Sequence, residues 1–166
     1  NSLAWIKRIT IFTSGVIDKY FDQLDNEKIT LVVNLQVPSH KQPKLPYHTI
    51  KFLSKITPLK CTVWISLNFF RNDHDIVSIE KHLRDLGLTN IRFSFANSAH
   101  KMSSTRSFNL GDYDLSRESV QEIFKVFSPL NYKLHFDGAL PICSLPDKLF
   151  SKFSHRWPGV FDSLRH

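Results

Sequence analysis

CTVWISLNFF, residues 61–70, is the stretch on which the fold turns. Side chains alternate between the two faces of an extended strand. Cys61, Val63, Ile65, Leu67 and Phe69 therefore share one face, and Thr62, Trp64, Ser66, Asn68 and Phe70 share the other. A strand buried between two layers of helices reads as a nearly continuous apolar run. This one does not. One face is built to be packed, and the other keeps groups that want hydrogen bonds. A strand is expected over residues 60–70.

The same asymmetry recurs on both sides of it. In residues 29–36, Ile29, Leu31, Val33 and Leu35 oppose Thr30, Val32, Asn34 and Gln36. In 90–96, Ile91, Phe93 and Phe95 oppose Arg92, Ser94 and Ala96. In 132–137, Tyr132, Leu134 and Phe136 oppose Lys133, His135 and Asp137. In 9–14, Ile9 and Ile11 oppose Arg8, Thr10 and Ser14.

Helical spacing fills the intervals. Ile17, Tyr20, Phe21 and Leu24 predict a helix over 16–25. Pro46 opens a second, carried by Ile50, Leu53 and Ile56 and ended by Pro58. Asp75 is placed as an N-cap for a helix bearing Ile76, Ile79, Leu83 and Leu86, with Gly87 to stop it. Ser116 is read as the cap of a fourth, with Leu115 and Val120 as its hydrophobic staple and Val120, Ile123, Phe124 and Phe127 as its buried face. A Pro-rich basic loop spans 37–45 and a long polar one 97–114. A short amphipathic helix is expected over 147–154.

The order is β-α-β-α-β-α-β-α-β with a tail, an α/β pattern that implies parallel strands and right-handed crossovers. Helices belong on the apolar face. Twist then curls the sheet around the polar face. Residues 1–140 are expected to form a partial, open β/α barrel, and 141–166 a C-terminal tail. A packed eight-stranded barrel fills its lumen with branched apolar side chains. A polar lumen calls for a ligand, or the face is simply solvated. Five strands do not close such a barrel. Further strands are expected from a preceding segment or from a partner chain.

The chain has 166 residues, a formal charge of +7 and 42% hydrophobic residues, enough to build a core. Its apolar runs are far too short to span a bilayer, and no signal peptide is evident. Cys61 and Cys143 have no CxxC spacing, so a reducing, cytoplasmic setting is expected. The charge suggests an anionic partner or a solvated basic surface, with basic residues scattered rather than clustered. The sequence begins at Asn1 and its one methionine is Met102. It is expected to be a piece of a longer protein.

The residues resemble the middle and later part of a radical S-adenosylmethionine domain. ITIFTSG, 9–15, looks like that family's TNG strand end, with Ser14 where Asn is usual. ITLVVNLQVPSH, 29–40, looks like its next strand, with Asn34 in the lumen-side place often held by Ser or Asp. CTVWISLNFFRNDHDIVSIEKHLRDLGLTNIRFSFANS, 61–98, is the closest match: a strand ending in Asn, a polar turn, a helix ending in Leu-Gly, and a strand. DGALPICSLPDKLFSKF, 137–153, resembles a Pro-x-Cys segment that follows the barrel in some members. The resemblance covers roughly 6–153. The CxxxCxxC signature, whose thiolates hold a [4Fe–4S] cluster, is absent. So is the Gly-Gly-Glu motif. Both belong to strand–helix units preceding anything matched here.

The resemblance implies S-adenosylmethionine and a [4Fe–4S] cluster as cofactors, with the cluster ligands outside this chain. It implies reductive cleavage of S-adenosylmethionine and abstraction of a substrate hydrogen by the deoxyadenosyl radical. The tail leans towards a peptide or other large substrate. Asn68 would face the ribose or carboxylate of the cofactor, unless it only satisfies its own turn. Ser66 and Asn34 would line the same lumen. Arg92 would meet a carboxylate, or is a surface arginine at a strand end. Cys143 would ligate metal in an auxiliary site, or is a small buried residue. His135 and Asp137 are spaced as an acid–base pair without a third ligand. Cys61 reads as core, and His40, His74, His82 and His100 as surface or loop residues. Trp5, Trp64 and Trp157 read as packing. The competing function is a non-catalytic α/β module whose open face binds a protein or nucleic acid.

Overall fold

The computed structural model describes residues 7–15, 21–41, 44–69, 74–95, 113–127 and 131–137. Five strands, β1 (Ile9–Thr13), β2 (Ile29–Gln36), β3 (Thr62–Phe69), β4 (Asn90–Phe95) and β5 (Lys133–Asp137), form one sheet in the order β1-β2-β3-β4-β5. Every neighbouring pair is parallel. Helices α1 (Tyr47–Ile56), α2 (Ile76–Asp85) and α3 (Tyr113–Phe127) cross between strands β2 and β5. Spatial order follows chain order, so the sheet is the wall of an open, partial β/α barrel.

The strand parity decides which face is covered. Leu31, Val33, Ile65, Leu67, Phe69, Ile91 and Phe93 are fully buried. They join Leu53, Ile56, Ile79, Leu83, Val120, Ile123, Phe124 and Phe127 from the helices in one core. Burying each such side chain stabilises the fold by about 1.5–3 kcal/mol relative to leaving it wet. The β4–α3–β5 end is aromatic. Phe136 stacks on Phe93 at 5.0 Å and on Phe124 at 5.6 Å, and Phe127 meets the Phe93 ring edge-on at 5.4 Å.

Local signals set the helix ends. Pro46, with φ −56° and ψ 142°, leads into α1. The Asp75 carboxylate accepts from the Ser78 N–H at 2.9 Å, capping α2. Gly87 adopts φ +69°, the left-handed stop. The Leu88 N–H then donates to the Leu83 carbonyl at 2.9 Å, and Leu88 turns into the core.

Three expectations change. The helix expected over 16–25 is, in its described part, a 3-10 turn at Phe21–Leu24. The helix expected to start at Ser116 already runs from Tyr113, so Ser116 sits inside it rather than capping it. His74 is not a surface residue: it is 5% exposed, packs edge-on against Phe69 at 4.9 Å, and bridges antiparallel to Ser39. The Asp75 N–H adds a bond to the Pro38 carbonyl at 2.8 Å. The loops leaving β2 and β3 are thus tied together at the carboxyl end of the sheet. The tail 141–166, with the helix expected at 147–154, lies outside the described residues. No helix among the described residues is long and apolar enough to cross a membrane.

Candidate functional site

A parallel register sets residues of equal parity side by side, so the uncovered face is organised in rows across the strands. Asn34 pairs with Ser66, Ser66 with Arg92, and Arg92 with His135. One step towards the carboxyl ends, Gln36, Asn68, Ser94 and Asp137 form a second row. One step towards the amino ends, Phe12, Val32 and Trp64 are aligned. Open α/β sheets bind ligands at the carboxyl ends of their strands, where the two polar rows lie.

Side chains bridge across this face. The Arg92 guanidinium carbon lies 5.7 Å from the centroid of the Phe12 ring. Trp64 and His135 meet edge-on at 6.3 Å, reaching across β4. Adjacent strands are about 4.8 Å apart, so the backbones of these pairs stand about 14 and 10 Å apart. The contacts are made by long side chains lying along the face and reaching over the strands between them. Asn90 pins the amino end of β4 by donating from Nδ2 to the Val63 carbonyl at 2.8 Å.

Burial grades the rows. Ser66 is buried, at 3% exposure. Asn34, Asn68, Arg92 and Ser94 are half-buried, while Gln36 and His135 are exposed. Thr30 Oγ1 is buried on this face without a hydrogen-bond partner among the described residues. The face is electrically divided. From β2 and β3 it takes only hydroxyls, amides and apolar groups: Thr30, Val32, Asn34, Gln36, Thr62, Trp64, Ser66 and Asn68. From β4 and β5 it takes Arg92, Lys133 and His135, with Asp137 at the carboxyl end.

The structure therefore brings Asn34, Ser66 and Arg92 into one row and places Asn68 in the next. Gln36 and Ser94, not singled out from the sequence, complete that second row. Parity alone could have found both, but which residues become neighbours depends on register. Cys143 lies outside the described residues. Cys61 is buried on the helix-covered face, and burial pushes its thiol above the ordinary pKa. It is held as a thiol, away from the lumen. An iron–sulfur cluster needs several thiolates together, and the described residues do not fit one. Among them no three His, Cys, Asp or Glu side chains group as a metal site.

No family model matches the chain, and no curated protein matches it. A solved structure does: SuiB of Streptococcus suis, crystallised bound to S-adenosylmethionine. The similarity has a TM-score of 0.59 at 22% identity and covers 87% of this chain. The chain spans 36% of the length of that structure. At this identity the likeness shows the fold: a run of parallel β/α units matching part of a larger protein.

Proposed function

We propose that this chain is part of the barrel wall of a radical S-adenosylmethionine enzyme, and that its concave polar face holds S-adenosylmethionine. The observation that carries the proposal is the paired rows of Asn34, Ser66, Asn68 and Arg92 on the face that no helix among the described residues covers. Two independent likenesses support the same ligand. The sequence resembles a family that uses S-adenosylmethionine, and the fold resembles a protein crystallised with it.

The chemistry of the face suits the ligand. S-adenosylmethionine offers a ribose diol, an adenine, an α-amino acid and a sulfonium cation. Asn34, Asn68 and Ser66 supply neutral donors and acceptors for the diol and the amino acid. A neutral β2–β3 half sets no cation against the sulfonium. Arg92, at the edge of that half, can hold a carboxylate with two parallel N–H donors. Thr30, Val32 and Trp64 line the amino-end side below these rows and exclude water from the ligand's underside.

When bound beside a reduced [4Fe–4S] cluster, the ligand supplies the group that abstracts hydrogen from a substrate. The residues described here orient and shield it. They do not hold the cluster, whose ligands we assign to segments other than these. β1 carries the outer edge of the sheet, with Ile9 45% and Phe12 59% exposed. Further strands would continue the wall from that edge.

Calorimetric titration of the purified chain with S-adenosylmethionine tests the proposal. Binding is expected, with affinity reduced about tenfold or more in the Asn34→Ala/Asn68→Ala variant, roughly the worth of one or two lost hydrogen bonds. No binding, or binding indifferent to both substitutions, would sink it.

A further inference from the structure

The net charge of the chain has an address. Lys and Arg are spread along the sequence, but Asp and Glu are not. Residues 28–72 hold seven Lys and Arg and no Asp or Glu, while the rest of the chain holds fifteen of each and is balanced. The whole +7 therefore belongs to the segment that builds β2, α1 and β3. We propose that the solvent side of α1, with the loop before it, binds a single-stranded nucleic acid through Lys44, Tyr47 and Lys51. The proposal goes beyond the S-adenosylmethionine reading and does not depend on it, because it uses the outer side of the helix layer.

Three observations carry it. The first is exposure. Thr49, Phe52, Leu53 and Ile56 turn α1 towards the core, which leaves Tyr47 and Lys51 exposed. These two are four residues apart and so are neighbours on the helix surface. Lys41 and Lys44, in the loop from β2, are exposed as well. The second is where the charge is left unbalanced. The acidic turn at Phe21–Leu24 serves the far end of α1. There the Asp25 carboxylate accepts from the Lys60 N–H at 2.7 Å, and the Lys55 ammonium lies 5.7 Å from the centre of the Phe21 ring. Lys41, Lys44 and Lys51 have no ion-pair partner among the described residues. The third is Tyr47 itself, 79% exposed beside these lysines. Packing does not hold its ring, which lies open for a base to stack on. Single strands are held by a positive track for the backbone and accessible aromatic rings for the bases.

An acidic protein fits this surface less well. Protein interfaces are enriched in Arg and depleted in Lys, and the described cations of this segment are all lysines. Lysine serves as a point charge for phosphate. A carboxylate-bearing chain would use the charges and leave the Tyr47 ring idle.

The test titrates a fluorescent thymidine dodecanucleotide and a glutamate dodecapeptide against the unaltered chain and three variants. These are Lys44→Gln/Lys51→Gln, Tyr47→Ala, and a charge-matched control on α2 and α3, Lys81→Gln/Lys125→Gln. Every altered position is exposed, so the core is untouched. The oligonucleotide is expected to bind, to lose about tenfold or more in Lys44→Gln/Lys51→Gln, and to change less than about threefold in the control. Tyr47→Ala, which alters no charge, is expected to cost about fivefold or more, the worth of one stacked base. The slope of log affinity against log salt should become shallower by about 1.4 in Lys44→Gln/Lys51→Gln, for two phosphates at about 0.7 each. The glutamate peptide should bind more weakly and be indifferent to Tyr47→Ala. Absence of oligonucleotide binding, or equal losses in the two lysine variants, would overturn the proposal. Glutamate binding as tight as the oligonucleotide's, or an oligonucleotide affinity unmoved by Tyr47→Ala, would overturn it too.

Discussion

The guanidinium carbon of Arg92 on β4 lies 5.7 Å from the centre of the Phe12 ring on β1, three strands away in the sheet. This one approach joins the first strand to the fourth over the polar residues between them. It lays the arginine along the polar face rather than letting it stand out into solvent.

Phe12 is therefore expected to position Arg92. An exposed cation–π contact is worth about 0.5–1 kcal/mol. Phe12→Ala should lower stability by no more than about that amount in urea titration. It should still weaken S-adenosylmethionine binding severalfold, because the arginine loses its rest. Phe12→Leu should keep the packing and still show the weaker binding.

The two faces of β3 should answer differently. Leu67 is fully buried against the helices, while its neighbour Asn68 is half-buried on the concave face. Leu67→Ala should cost about 2–5 kcal/mol of stability. Asn68→Ala should leave the urea midpoint nearly unchanged and lower S-adenosylmethionine affinity. Paired denaturation and calorimetry on the two variants separate the roles.

This contrast was legible in the sequence, because strand parity is a local property. CTVWISLNFF alone predicts which side chains face the helices, and Asn34, Ser66, Asn68 and Arg92 do share the other face. The register was not legible. That Ser66 sits between Asn34 and Arg92 depends on hydrogen bonds between strands far apart in the chain. The start of α3 was also missed. Ser116 flanked by Leu115 and Val120 as a hydrophobic staple is a sound capping pattern, yet the helix already runs from Tyr113. His74 does lie in the loop after β3, but its burial was not legible between two aspartates, because it comes from contact with Phe69.

Burial of Tyr132 predicts a pH effect. Its hydroxyl donates to the buried Glu80 carboxylate at 2.9 Å, linking the residue just before β5 to α2. Burial first, and then the bond to Glu80, push the phenol above its ordinary pKa of 10. The folded state thus keeps this proton more tightly than the unfolded state. The linked stability is full below pH 10, declines as pH climbs past 10 towards the raised value, and is gone above it. Urea midpoints measured across this range should fall less steeply in Tyr132→Phe. At neutral pH the same variant should lose about 1–3 kcal/mol, since it strips a buried carboxylate of a donor.

Gly87 tests the account of α2. Its φ of +69° is a conformation that side chains resist, although a Cβ there would meet nothing within 4 Å. Gly87→Ala should cost about 1 kcal/mol from the backbone alone. Asp75→Ala, which removes the cap at the other end, should cost a similar amount. Thermal unfolding of both variants checks the pair.

The central claim is that the concave face holds S-adenosylmethionine, and amide shift mapping tests it most directly. The ¹⁵N-labelled chain is titrated with S-adenosylmethionine and the shifted amides are placed on the sheet. The account predicts shifts concentrated at Asn34, Ser66, Asn68 and Arg92, with α1 and α2 unmoved. Saturating ligand that shifts no amide, or shifts confined to the helix-covered side, would contradict it.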